Sequence, residues 1–162
     1  MALIANALGA GDEKKARLYA IQSISFTVLL SMALMVIGLL AAPFLFGILG
    51  ARETYLSISL AYINVIFYGL VFISLTFVLN AILTAQGDTK SFRNALIIGF
   101  FLNLILDPWF IYGGFGLPGM GLAGVAWATI LIQLFSTFFM GMRVIRSDLI
   151  CRDCWTMFFP QR

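Results

Sequence analysis

The chain has 162 residues, of which 62% are hydrophobic and only 10% are charged, and its formal net charge is +3. A soluble domain carries about 25% charged residues, so the composition predicts an integral membrane protein and excludes a soluble enzyme. The positive residues occur in small groups between apolar segments, which is typical of loops beside lipid headgroups and not of a surface that binds nucleic acid.

The charged residues divide the chain into segments long enough to cross a membrane. None lies within 18–51 or 54–87, and Asp107 is the only one within 94–142. Because a spanning helix needs about 20 residues, the first two segments predict helices over about 18–46 and 55–85, the first ended by Pro43 and the glycines after it. The glycine-rich stretch GGFGLPGMG at 113–121 divides the third segment into helices over about 91–112 and 121–142.

The expected fold is therefore an all-α polytopic membrane protein with four full transmembrane helices. The residues before Gly9 are interpreted as the end of a fifth helix whose beginning is missing, and they show no signal-peptide pattern.

Two loops carry the same pattern, Gly-Asp-x-Lys-x-x-Arg, as GDEKKAR at 11–17 and GDTKSFR at 87–93. In each loop the Gly can end one helix in a left-handed conformation, and the Asp can cap the next helix. Two spans separate the copies, so both are predicted on one membrane face, together with the later cluster of Arg143, Arg146 and Arg152. The positive-inside rule predicts that this face is cytoplasmic, in a plasma membrane and most simply a bacterial inner membrane. The motif residues are Gly11, Asp12, Lys14, Arg17, Gly87, Asp88, Lys90 and Arg93.

One carboxyl group, that of Asp107, is predicted to lie inside the membrane. Arg93 marks the cytoplasmic end of its helix, and the fourteen residues from there to Asp107 correspond to about 21 Å of a hydrocarbon core that is about 30 Å thick. Asn103 lies four residues earlier on the same helix face, and Pro108 removes a backbone donor beside the pair. Such a carboxyl group binds a cation or holds a proton. The alternative is that Asp107 caps the helix end or pairs with a neighbouring helix.

For the other notable residues within the spans, a role in helix packing is favoured over a role in binding. Interhelical hydrogen bonds are the preferred interpretation for Gln22, Asn64, Asn80, Thr129 and Gln133. A shared helix face predicts a close-packed contact at Gly121, Gly124 and Ala128. Core or lipid-facing packing is favoured over a pocket for a flat cationic ligand at Tyr62, Phe67, Tyr68, Phe72 and Phe77.

Cys151 and Cys154 form a lone C-x-x-C pair. The chain has no His and no further Cys, whereas zinc takes four ligands, so two reduced cysteines are expected and no structural metal or cofactor.

Three segments, taken together and in order, resemble the amino-terminal lobe of the multidrug and toxin extrusion (MATE) transporters. They are ALGAGDEKKAR at 7–17, NAILTAQGDTKSFRNALIIGFFLNLILDPWFIYGG at 80–114 and GLPGMGLAGVAWATI at 116–130. The most specific part is the QGDTK loop followed by Asn-x-x-x-Asp-Pro, and the resemblance covers residues 1 to about 146.

The resemblance implies a twelve-helix fold in two lobes, in which residues 1–146 supply the end of helix two and helices three to six. Residues 147–162 are then an atypical cytoplasmic tail. It also implies export of mostly cationic organic compounds in exchange for protons or sodium ions. Asn103 and Asp107 match two members of the family's cation site, and Thr129 matches a further polar member. The family's acid on helix one and its second lobe have no counterpart here, so the expected partners are membrane lipid and the missing helices of the same transporter.

Three other functions stay open at this point. A related flippase for lipid-linked oligosaccharides would be expected to line its cavity with several Arg or Lys, and the spans contain none beyond Arg93 at the cytoplasmic end of its helix. An intramembrane enzyme would need a second catalytic group at a fixed spacing from Asp107. A small membrane-integrated accessory protein would be excluded by complete lobes in the flanking gene sequence.

The basic loops generate a prediction about topology. In a chain without Cys151 and Cys154, a cysteine that replaces Thr89 should resist an impermeant thiol reagent in intact cells and react once the cells are permeabilised. The reason is that all three basic segments are predicted on the cytoplasmic face. Ready labelling in intact cells would contradict this orientation.

Overall fold

The structure, a computed structural model, describes residues 1–50, 52–114, 118–147 and 149. Within these residues it contains α1 Ala2–Gly9, α2 Glu13–Ile48, α3 Glu53–Ala85, α4 Lys90–Tyr112 and α5 Leu122–Arg146. The four longer helices are long and apolar enough to cross a membrane, which confirms the predicted fold class. The two cysteines and nearly all of the predicted tail lie outside the described residues.

The ends of α2 differ from the prediction for two local reasons. The helix begins at Glu13 because the Asp12 side chain accepts a hydrogen bond from the Lys15 backbone N–H at 3.1 Å, which caps the first turn. At the other end the helix passes through Pro43 and continues to Ile48, so the prediction that Pro43 helps to end it was wrong. Proline removes only one backbone donor, and membrane helices tolerate that loss.

The helices pack in the order α2, α3, α5, α4. The middle helix α3 contacts both α2 and α5 extensively, and α4 packs mainly against α5, with little direct contact to α3. A space is therefore left between α3 and α4, and α5 forms its floor. This arrangement places Asn103 and Thr129, two of the predicted cation residues, along one groove.

An apolar cluster closes one end of the bundle. It joins the start of the chain to the ends of α3 and α5 through Ile4, Ala7, Ala16, Ala20, Leu79, Ile82, Leu83, Met140 and Val144. These residues flank both Gly-Asp loops and the arginines in the last turn of α5. Both loops and the basic end of α5 thus lie together, and we call this end of the bundle the loop end.

The predicted glycine contact on α5 is present only in part. Gly124 lies directly against α4, because a methyl group added to it would lie 2.6 Å from the carbonyl oxygen of Phe110. Ala128 is fully buried. Gly121 does not take part, since it precedes the helix with a φ of 55° and an added methyl group there would meet nothing. Its role is the left-handed backbone conformation that starts the helix.

This contact generates a prediction about stability. Gly124→Ala should destabilise the protein by about 1–3 kcal/mol, because the new methyl group collides with a backbone carbonyl that cannot rotate away. Gly141→Ala is the matched control in the same helix, where the nearest neighbouring atom would lie at 4.0 Å. Alanine gains up to about 1 kcal/mol of helix propensity over glycine in a helix interior, and Gly124 is the third residue of its helix, so a lower stability of Gly124→Ala than of Gly141→Ala reports the collision. Unfolding in mixed micelles, followed by circular dichroism, measures it, and equal stabilities would show that α4 and α5 do not meet here.

Candidate functional site

Asn103 and Asp107 form a hydrogen-bonded pair on α4. With the amide oriented so that its nitrogen faces the carboxylate, Asn103 Nδ2 lies 2.7 Å from each carboxylate oxygen of Asp107. When Asp107 is protonated, a half-turn of the amide lets Asn103 Oδ1 accept the carboxyl proton instead. The pair therefore accommodates both protonation states without any movement of the backbone.

The backbone around the pair offers a further oxygen. The helix continues through Pro108 to Tyr112, and Pro108 has no N–H, so the carbonyl of Leu104 lacks the usual donor four residues later. Just beyond the pair, Trp109 Nε1 donates to the carbonyl oxygen of Gly114 at 3.1 Å. This bond ties the chain that follows α4 back to the end of the helix.

Asn103 and Thr129 line the same cavity, which occupies the space between α3 and α4. It has a volume of about 290 Å³, and we call it the α3–α4 groove. Asp107 is not among its lining residues and reaches it through Asn103. The hydroxyl of Thr129 donates to the Val125 carbonyl at 2.9 Å, so Thr129 presents only its oxygen lone pairs to the groove. Its lining residues are Thr76, Phe77, Phe92, Ala95, Leu96, Gly99, Phe100, Asn103, Thr129, Ile132, Gln133 and Ser136.

The lining combines aromatic rings with neutral oxygen atoms, and no charged side chain is among its residues. Of the aromatic residues considered from the sequence, Phe77 lies in the groove. Tyr62 and Phe72 pack against the buried cluster around Val65. Phe67 lies against Gly38. The preference for core or lipid-facing packing thus fits these three residues and Tyr68, which is 57% exposed. Phe77 borders the groove and is also 62% exposed.

Gln133 is the groove residue whose role the sequence did not indicate. An interhelical hydrogen bond was predicted for it, but its buried Oε1 has no hydrogen-bond partner among the residues that the structure describes. An interhelical set forms instead one turn away, where Thr137 Oγ1 donates to the Phe72 carbonyl at 2.9 Å and lies 2.9 Å from Thr76 Oγ1.

The spacing of polar residues on α5 was the available signal. Thr129, Gln133 and Ser136 follow one another at intervals of four and three residues, which places them on one helix face.

The Gly-Asp loops act as helix caps. Gly11 and Gly87 adopt positive φ angles of 73° and 86°, and Asp88 accepts hydrogen bonds from the Ser91 backbone N–H at 3.0 Å and from the Ser91 hydroxyl at 2.5 Å. In the first loop Asp12 Oδ2 lies 2.8 Å from Lys15 Nζ. The ion pair is thus made by Lys15 and not by Lys14 of the shared pattern.

The same contacts set the pKa of both loop carboxyl groups. The Ser91 hydroxyl bond holds the pKa of Asp88 below its ordinary value, with help from the Ser91 backbone N–H and the charge of Arg143. The hydrogen bond to the Lys15 side chain lowers the pKa of Asp12 in the same way. Because Arg143 lies on α5, its charge links that helix electrostatically to the loop before α4.

A comparison with known protein families identifies this arrangement. The family model described as MatE matches residues 1–109. The chain belongs to the MatE family. The match includes α1 to α3 and most of α4, with both Gly-Asp loops, Asn103 and Asp107.

Several curated proteins are similar to this chain in sequence. The chain is 33% identical over 145 residues to the probable multidrug resistance protein YoeA of Bacillus subtilis, a match that covers 90% of the chain and 31% of that protein. It is 30% identical to an FAD transporter of Shewanella oneidensis, with coverage of 85% and 30%. It is 31% identical to the multidrug export protein MepA of Staphylococcus aureus, with coverage of 82% and 29%. The chain thus spans about a third of the length of these relatives, two of which are named for transport or export.

Solved structures show the same MatE fold. A MATE multidrug transporter in an inward-facing conformation superposes with a TM-score of 0.83 at 29% identity, and the match covers 91% of this chain and 32% of that one. A MATE structure in complex with MaD3S gives a TM-score of 0.82 at 30% identity, with coverage of 99% and 35%. The arrangement of α1 to α5 is therefore that of one part of a MATE transporter.

The capping bonds of Asp88 generate a prediction about its titration. A lowered pKa in the folded state stabilises the fold at pH values above the ordinary carboxyl pKa, and this contribution is lost as the pH falls through the lowered value. Ser91→Ala removes the hydroxyl donor, so the pKa of Asp88 should rise towards its ordinary value, the stabilising contribution should become smaller, and its loss should be complete at a higher pH. Carbon NMR titration of the labelled carboxyl group measures this, with Asp12 as the internal control. An unchanged Asp88 titration would show that the Ser91 hydroxyl bond is not formed.

Proposed function

We propose that the chain is part of a secondary active transporter of the plasma membrane that exports organic compounds, mostly cations, in exchange for protons or sodium ions. The observation that carries this proposal is the environment of Asp107. It lies within a helix long and apolar enough to span the membrane, and no Lys or Arg in the described part of the chain forms a salt bridge with it. An ionisable side chain within a membrane span is by default a candidate for an ion or proton pathway.

The pair on α4 suits either coupling ion. A proton on Asp107 is stabilised by Asn103 Oδ1 after the amide turns, as the 2.7 Å separations allow. A sodium ion is a hard cation that prefers oxygen ligands, and the carboxylate, the Asn103 amide oxygen and the Thr129 hydroxyl oxygen are the oxygen atoms proposed to bind it. In both cases Asp107 becomes neutral in effect, which removes the cost of placing its charge in an apolar contact. Alternating access then follows from a change in helix packing around the site.

The groove lining supports organic cations as the main substrate class. Phenylalanine rings provide faces for flat cationic groups, and neutral oxygen atoms accept hydrogen bonds from their N–H groups. The absence of Lys and Arg from the lining residues disfavours the flippase alternative, since a pyrophosphate needs cationic partners. One relative is named as an FAD transporter, so the preference for cations depends on the lining residues here and not on the names of relatives.

The proposal predicts different effects for the two members of the pair. In a full-length transporter that carries this lobe, Asp107→Asn should abolish export driven by an ion gradient, because the side chain keeps its size but loses the titratable charge. Asn103→Ala should reduce export less, since it removes a ligand and leaves the charge. Export of ethidium from everted vesicles, with a proton or a sodium gradient imposed separately, measures both variants and identifies the coupling ion.

The Asn64→Ala variant is the matched control for this experiment, because Asn64 lies on α3 outside the groove lining. This variant should export normally. Protein levels in the vesicles show that each variant inserts. Normal export by Asp107→Asn would reject the coupling role and leave helix capping as the explanation of this residue.

A further inference from the structure

The loop end of the bundle carries most of the basic residues of the chain. The segments 11–17, 87–93 and 143–146 together contain seven Lys or Arg residues and three Asp or Glu residues. Two of those carboxylates, Asp12 and Asp88, accept hydrogen bonds as caps of α2 and α4. The loop end therefore presents an excess of positive charge at the level where lipid phosphates lie.

Two of these basic residues, Arg143 and Arg146, lie in the last turn of α5. They are three residues apart, so they occupy neighbouring positions on the helix surface. Both are exposed, and neither forms a salt bridge among the residues that the structure describes. The carboxylate of Asp88 is bound to the Ser91 hydroxyl, which lowers its pKa with help from the charge of Arg143. Both guanidinium groups thus have donors for a further anion.

An aromatic ring holds the Arg143 guanidinium against the side of α5. Its Cζ lies 5.9 Å from the centroid of the Phe139 ring, which is within the range of a cation–π contact. Phe139 in turn stacks on Phe135, with the ring centroids 6.4 Å apart and an interplanar angle of 13°. A guanidinium that stacks on a ring keeps the N–H groups along its edges for a phosphate, which it can bind through two parallel hydrogen bonds.

The order of these groups along α5 matches the order of groups in a phospholipid. At about 1.5 Å per residue, Phe139 lies about 6 Å and Phe135 about 12 Å deeper in the membrane than Arg143. Phe135 is 40% exposed, and the neighbouring Phe138 and Met142 are exposed as well. Positive charge at the level of the headgroups is thus followed by apolar surface at the level of the acyl chains.

We propose that this end of α5 binds an anionic phospholipid, with the lipid phosphate between Arg143 and Arg146 and an acyl chain along Phe139 and Phe135. We call these four residues the α5 lipid site. An anionic headgroup is favoured over a zwitterionic one, because the amine of the latter would bring a further positive charge to the two guanidinium groups. The proposal goes beyond the general attraction of basic loops to headgroups, since it assigns the lipid to one helix. It is independent of the function proposed above, because it uses neither the Asp107–Asn103 pair nor the α3–α4 groove.

Competition between phosphatidylglycerol and phosphatidylcholine with identical acyl chains tests the α5 lipid site. Native mass spectrometry of the chain in a neutral detergent measures how much of each lipid stays bound at equal concentrations. The chain should bind phosphatidylglycerol more tightly. The double variant Arg143→Gln/Arg146→Gln should lose at least about fivefold in affinity for it, because it removes both charges that face the phosphate. Phe139→Leu should lose about threefold, since Arg143 loses the ring that orients it.

The double variant Lys14→Gln/Lys90→Gln is the matched control, because it removes the same two charges from exposed residues of the loop end and leaves α5 unchanged. Its affinity for phosphatidylglycerol should fall by less than about twofold. An equal loss in the two double variants would overturn the proposal and show that the whole basic end attracts anionic lipid without a defined site.

Two further outcomes would also overturn the proposal. One is equal affinity of the chain for the two lipids, with circular dichroism showing that the helices are intact, which would mean that other groups cover this face of α5. The other is displacement of phosphatidylglycerol by glycerol 3-phosphate at the same concentration, because a soluble phosphate lacks the acyl chains that are proposed to contact Phe139 and Phe135.

Discussion

Polar groups in the hydrocarbon core have no water to bind and must find partners within the protein. The long helices satisfy their own backbones, and most hydroxyl groups within them return to the same chain. Ser31 donates to the Val28 carbonyl at 3.0 Å, and Thr129 donates to Val125. Among the described residues, two groups depart from this pattern. The carboxylate of Asp107 is bound by the amide of Asn103, and the buried amide oxygen of Gln133 has no hydrogen-bond partner. Asn103 and Gln133 both line the α3–α4 groove.

The two ends of the bundle serve different purposes. At the loop end, alanines of α1 and α2 allow close contact with α3 and α5, and the Asp caps order the turns between helices. The positive charge of Arg143 on α5 helps to lower the pKa of Asp88 in the loop between α3 and α4. Further into the membrane, α4 meets α3 only slightly, and the groove opens between them.

The polar residues of the proposed site come from only two helices, α4 and α5, which also meet through the tight contact at Gly124. This contact holds the level of Asn103 relative to Thr129. The chain spans about a third of the length of the relatives that it matches. The local chemistry of the pair, the groove and the caps nevertheless depends on contacts that lie within the described residues.

Several features follow from the sequence alone because they depend on transfer energies and on spacing along one helix. Long uncharged segments predict the four spans, Gly followed by Asp predicts the capped turns, and a spacing of four residues brings Asn103 to Asp107. None of these conclusions requires knowledge of which helices are neighbours. The same local reasoning was wrong for Pro43, where the helix continues because a single missing donor is tolerated in a membrane span.

The tertiary structure decided everything that depends on which helix faces meet. It made Phe77 a groove residue and packed Tyr62 and Phe72 away from the groove. It used Gly124 at the contact with α4 and Gly121 only as a turn. An interhelical hydrogen bond was predicted for Gln133, but the structure forms one at Thr137, one turn along the same helix. The spacing of apolar or amide side chains along a helix is the same whether they face lipid, a neighbouring helix or a cavity. Only the packing order α2, α3, α5, α4 distinguishes these surroundings.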